Sequence, residues 1–163
     1  MRVTKRPVRA LMFVGVFLLI AGCGGSAMGN TETMPEAQAR VERETNAAAS
    51  AIFPPGFTLS VQSTLSMPCA DIEDKGTGQS RASVNYWVDN IDNRRNNEYF
   101  DKLKTWWANN GWEIETDKSP DDYMNATKDE YKMAIQTTIT PDRRVSIGTN
   151  SPCVWPNGTP EPR

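Results

Sequence analysis

From Phe57 to Thr149 apolar side chains recur at every second position in one stretch after another. That alternation limits what the chain can become more than any other feature, because strand side chains point to opposite faces in turn. Phe57, Leu59, Val61 and Leu65 alternate with Thr58, Ser60, Gln62 and Thr64. Ala82, Val84, Tyr86 and Val88 alternate with Arg81, Ser83, Asn85, Trp87 and Asp89. Trp112 and Ile114 begin a short third strand, Tyr131, Met133, Ile135, Thr137 and Ile139 mark a fourth, and Val145, Ile147 and Thr149 a fifth. Strands of this kind belong to an antiparallel sheet with one dry face and one wet face.

Two segments carry the helical period instead. Thr33 and Glu36 form a capping box, Pro35 suits a first turn, and Ala37, Val41, Ala48 and Ile52 follow before Pro54-Pro55-Gly56 ends the helix. Asp92 or Asn93 can cap a second helix, with Tyr99, Leu103 and Trp106 on one stripe, Phe100 and Trp107 beside it, and Gly111 at its end. Cys69–Ser80 and Lys118–Asn125 read as loops. The order is α-β-β-α-β-β-β. It predicts an α+β fold, a two-layer sandwich in which two helices cover one face of a mainly antiparallel five-stranded sheet. The second helix makes one crossover.

The N-terminus reads as an address. Arg2, Lys5, Arg6 and Arg9 precede an apolar run of 11 residues, Ala10 to Ile20, too short for the about 20 residues a spanning helix needs. The run ends in Leu19-Ile20-Ala21-Gly22-Cys23, which resembles the bacterial lipobox. In that motif cleavage falls between Gly22 and Cys23, and the Cys23 thiol carries diacylglycerol. The new amine then takes a further acyl chain such as palmitate. Residues 1–22 are thus expected to be a signal peptide, 23–32 a lipidated tether, 33–153 the α+β domain, and 154–163 a disordered tail. That tail lies in a stretch holding four prolines in the last 13 residues. The location predicted is the extracytoplasmic face of a plasma membrane, held by lipid.

Composition narrows the chemistry. The 163 residues hold 18 Lys+Arg, 20 Asp+Glu, three cysteines and no histidine. Removing the four N-terminal bases leaves 14 against 20 acids, near −6, which argues against nucleic acid as a partner. Without histidine there is no Ser/His/Asp or Cys/His mechanism. With Cys23 taken by lipid, Cys69 and Cys153 are expected to form a disulfide, as a cysteine pair in an exported domain does most simply.

The arrangement resembles the LppA-like surface lipoproteins of mycobacteria and related actinobacteria. The matching features are the Ile20-Ala21-Gly22-Cys23 box, an acidic first helix, Cys69, Asn110-Gly111-Trp112 and Thr149-Asn150-Ser151-Pro152-Cys153. The Trp155-Pro156-Asn157-Gly158-Thr159-Pro160 ending also matches. The resemblance implies a location and a fold, and it transfers no catalytic residue.

Candidate sites are correspondingly few. The wet face, with Gln62, Asn85, Trp87 and Gln136, offers hydroxyls, amides and one indole to a glycan or an envelope protein. Trp107 would join if one of Trp106, Trp107 and Trp112 lines a groove. That tryptophan cluster is also the basis for an alternative reading, a lipid or lipoglycan carrier. A third reading takes Glu113 and Glu115, about 7 Å apart on one strand face, or Asp121 and Asp122, as the paired carboxylates of a glycan hydrolase. Asp71, Glu73 and Asp74 lack the ligand spacing of a calcium loop. No cofactor, no metal and no catalytic residue is expected. The leading expectation is a non-enzymatic envelope lipoprotein that binds a partner or has a structural role.

Overall fold

The computed structural model describes Gly29, residues 31–118 and residues 122–160. Gly22, Cys23 and Asp121 lie outside these. Helix α1 (Met34–Ile52) starts at the box read from the sequence. The Thr33 hydroxyl accepts from the Glu36 N–H at 3.4 Å, and the Glu36 carboxylate accepts from the Thr33 N–H at 2.8 Å. Replacing Thr33 by Ala removes one of these bonds and is expected to cost about 1 kcal/mol in urea denaturation, with an unchanged m value.

The chain continues through β1 (Thr58–Ala70), β2 (Gly76–Asp89), a 3₁₀ turn at Asn93–Arg95, and α2 (Asn96–Asn109). It then makes β3 (Glu113–Lys118), β4 (Tyr123–Lys128), β5 (Tyr131–Thr137) and β6 (Val145–Asn150). The fold is α+β, with two helices and one sheet. The sheet has six strands in the order β1-β2-β6-β5-β4-β3, and every neighbouring pair is antiparallel. The expected five strands become six because β4 begins in the last three residues of the segment read as a loop and runs on to Lys128. It contributes only two apolar core residues, Met124 and Ala126, both fully buried. Helix α2 carries the chain from β2 to β3 at the far edge of the sheet. Among the described residues no helix is long and apolar enough to cross a membrane.

Both helices pack on the dry face. From α1 come Ala37, Val41, Ala48 and Ile52, as the period requires, together with Thr45. Thr45 is tolerated in the core because its hydroxyl donates to the Val41 carbonyl and shares a 2.7 Å hydrogen bond with the Thr149 hydroxyl of β6. From α2 come Tyr99, Phe100, Leu103 and Trp107. Trp106, expected on the buried stripe, is only half-buried, and its neighbour Trp107 takes the core position.

Strand β1 departs from simple alternation. A bulge between Val61 and Ser63 adds one residue, so Leu59 pairs with Val88 on the dry side while Leu65 pairs with Ser83 on the wet side. Leu65 thus lies on the open face, 51% exposed, while Leu59 packs partly against the core; Val61, before the bulge on this edge strand, is 65% exposed.

The end of the chain was expected to be disordered, but its described part is built into the fold. Val154 pairs with Ser80 of β2 through two backbone hydrogen bonds of 2.9 and 2.8 Å. Trp155 is buried against Gly78, whose φ of +84° no β-branched or bulky residue adopts easily. The same segment holds the stretch before α1. Thr31 N–H donates to the Gly158 carbonyl, Trp155 N–H to the Thr31 hydroxyl, and the Trp155 indole to the Gly29 carbonyl. The Tyr131 phenol donates to the Glu32 carboxylate, and burial, followed by that bond, pushes its pKa upward. Thus Gly29, Thr31 and Glu32, expected to be free tether, are also docked.

Cys69 and Cys153 form the expected disulfide, with their Cα atoms 6.2 Å apart and 84 positions apart in sequence. It ties the far end of the β1–β2 hairpin to the chain that leaves β6.

Candidate functional site

The open face of the sheet is organised in rows that run across the strands, because residues in register on neighbouring antiparallel strands sit side by side. The middle row is Ser63, Asn85, Gly148, Ala134 and Asn125, on β1, β2, β6, β5 and β4. On one side runs Ser60, Trp87, Ser146, Gln136 and Tyr123, and on the other Leu65, Ser83, Asn150, Lys132 and Thr127. The middle row has the smallest side chains at its centre, so the face dips there. The concavity holds about 170 Å³ and reaches from Ser63 to Gln136, with Gly148 and Ala134 between. Gly148 is required by the close approach of β2. A Cβ there would stand 2.3 Å from the Val84 carbonyl oxygen and 2.8 Å from Asn85 Oδ1.

Four of the five residues singled out for a ligand face come together here. Asn85 donates to the Gln62 side-chain oxygen at 2.6 Å across the β1 bulge. Gln136 is exposed beside the concavity. Trp87 flanks it, but Arg144 covers the ring, its guanidinium carbon 4.4 Å from the ring centre. Arg144 is fixed in turn by Asp89 at 3.2 Å, and Asp89 accepts from the Ser60 hydroxyl at 2.5 Å. Trp107 does not join them. It lies fully buried on the opposite side of the sheet, its indole N–H 3.4 Å from Met133 sulfur. Trp112 is buried in the same core, and only Trp106 reaches an open groove, beside Ala51 and Asn109.

Two polar atoms of the face are buried without a partner, Ser146 Oγ and Asn125 Oδ1. A buried unpaired hydroxyl or carbonyl costs about 1–3 kcal/mol, so each is a place where a ligand group or a water would be welcome. The sequence contained one signal for this dip, a glycine interrupting the Val145–Thr149 alternation. Ser63, Ala134, Asn125 and Asn150 carried none, because their meeting depends on strand order.

The carboxylates are placed differently. Glu115 at the β3 bulge accepts from Asn125 at 2.9 Å and pairs with Lys132 at 3.0 Å. Glu113 is exposed on the same edge strand. Asp122 pairs with Arg143 at 3.7 Å. Asp71 accepts from the Glu73 and Lys75 N–H groups, closing the β1–β2 turn. Compared with known proteins, the chain matches no family model, no curated protein and no solved structure.

Proposed function

We propose that the chain is a lipid-anchored envelope protein, held by Cys23 at the outer face of the plasma membrane. Its open sheet face acts as a non-enzymatic binding surface. The observation that carries this reading is the polar concavity around Gly148, lined by hydroxyls and amides, with the unpartnered Ser146 Oγ beside it. A binding site needs convergent polar groups in a hollow, and this face supplies them. A glycan hydrolase needs two carboxyl groups free to act at one glycosidic bond, one on the leaving oxygen and one on the side of the anomeric carbon. Here Glu115 is engaged by Lys132 and Asn125, which favours binding over catalysis. The carrier reading has less support, because Trp107 and Trp112 fill the core between helices and sheet. The likeness to the LppA-like surface lipoproteins supports the location rather than a chemistry.

The anchor is tested by fractionation. Cys23→Ala is expected to leave the precursor unlipidated and to abolish labelling by a radioactive fatty acid. Unchanged membrane partition with undiminished label would refute the anchor. The surface is tested by substitution. Asn85→Ala and Gln136→Ala should weaken retention of envelope components by the full chain, while Trp106→Ala, on the other side of the molecule, should not.

A further inference from the structure

We infer that the open sheet face binds a linear, uncharged glycan laid across the strands, with one sugar ring seated in the dip at Gly148 and Ala134. This deepens the reading of that face as a binding surface and rests on it.

The first argument is shape. The middle row runs perpendicular to the strands over five of them, about 19 Å at the usual strand spacing, with serine, glycine and alanine at three of its positions and the dip spanning four of the strands. The flanking rows stand about 7 Å to either side. Together they define a trough suited to an elongated ligand. An extended polypeptide gains affinity on a sheet by hydrogen bonding along an edge strand. Lying across the strands on their face, it meets side chains only. A polymer whose units each carry several hydroxyl groups, able to pair with side chains rather than with a backbone ladder, suits the trough better.

The second argument is charge. The dip is formed by Ser63, Asn85, Gln136, Ser146 and Asn150 around Gly148, none of them ionisable. Of the charges around it, Asp89 is paired with Arg144 and Glu115 with Lys132, while Arg81 lies one row beyond Ser83, outside the dip, with its guanidinium 3.9 Å from the Cys153 sulfur. An anionic polymer would find no free cation in the dip. Neutral hydroxyl groups, which both donate and accept, match serine and amide side chains that do the same.

The third argument is satisfaction. Ser146 Oγ and Asn125 Oδ1 are buried and unpartnered, one in the flanking row and one in the middle row of the same trough. Ser146 is the cross-strand neighbour of the exposed Gln136, and both line the dip. The dip of about 170 Å³ is smaller than the roughly 300–1,000 Å³ of drug-sized sites, so it takes one ring, and affinity must come from several units along the trough. Tyr123 stands in one wall, where an aromatic ring can meet the apolar face of a sugar, whereas the Trp87 ring in the same wall is covered by Arg144.

The test is calorimetric titration of the full chain in detergent micelles with linear oligomers of N-acetylglucosamine, glucose and mannose, two to six units long. Saturable binding to at least one series is expected, tightening about tenfold or more from dimer to hexamer. Ser146→Ala and Gln136→Ala should each weaken the hexamer about tenfold, the loss of one good hydrogen bond. Trp106→Ala should leave it unchanged. Ser146→Ala removes a buried, unpartnered hydroxyl, so its thermal midpoint should be no lower than the parent's, which separates lost binding from lost folding. A photo-crosslinking residue at exposed Leu65, on the same face, is read in the native envelope alongside. No heat with any series, together with a cross-link to a polypeptide, overturns the glycan and keeps the face as a binding surface. No heat and no cross-link overturn both readings. Binding that is independent of length, or unaffected by the Ser146 and Gln136 changes, places the sugar elsewhere and overturns the trough.

Discussion

Replacing both Cys69 and Cys153 by Ser is expected to cost about 4–5 kcal/mol, the loop-closure entropy of a cross-link spanning about 85 residues. Against a total stability of about 5–15 kcal/mol for an ordinary domain, that is about a quarter or more. The reason is topological. The bridge joins the end of the β1–β2 hairpin to the segment after β6, and that segment pairs with β2 and holds Thr31 and Gly29 through Trp155 and Gly158. Without the bridge, the exposed end of the hairpin and the last described residues are expected to open first. Hydrogen exchange should therefore rise at Ser80 and Val154 before it rises at Val84 or Ile147. Urea midpoints of the oxidised parent and the double variant give the magnitude. A loss below about 1 kcal/mol would mean that the hydrogen bonds of this region suffice without the cross-link.

The second large effect separates two adjacent tryptophans. Trp107→Ala is expected to destabilise by about 3–5 kcal/mol, because it empties a fully buried volume against Met133 that the surrounding strands cannot close. Trp106→Ala, at a half-buried position beside an open groove, should cost about 1 kcal/mol, the ordinary effect of a point change. Equal losses would contradict this placement of α2. A reversed order would restore Trp106 to the stripe that the sequence pattern assigns it.

Those tryptophans show where sequence reading ends. On a helix, neighbours are about 100° apart, so only one of the pair can face straight inward; the period assigns that place to Trp106, and packing gives it to Trp107. Leu65 shows the same limit in a strand. Its parity with Phe57, Leu59 and Val61 places it on the dry face, and the bulge near Gln62 reverses it. Strand β4 escaped notice because two core-facing residues, Met124 and Ala126, are too few to stand out from a loop. The proline-rich ending reads as unstructured from composition, yet Val154 and Trp155 are buried by partners more than 70 positions away in sequence.

Local chemistry by itself determined the α+β class, the antiparallel pairing, the capping box of α1, the glycine end of α2 and the Cys69–Cys153 bridge. Each of these depends on side-chain period, on the geometry of a few consecutive residues, or on a count of thiols. The strand order, the inserted residue at the bulge and the row that brings Ser63, Asn85, Gly148, Ala134 and Asn125 together were decided only by the tertiary structure. They are set by pairings between segments tens of residues apart, whose register depends on how the whole dry face packs against the two helices.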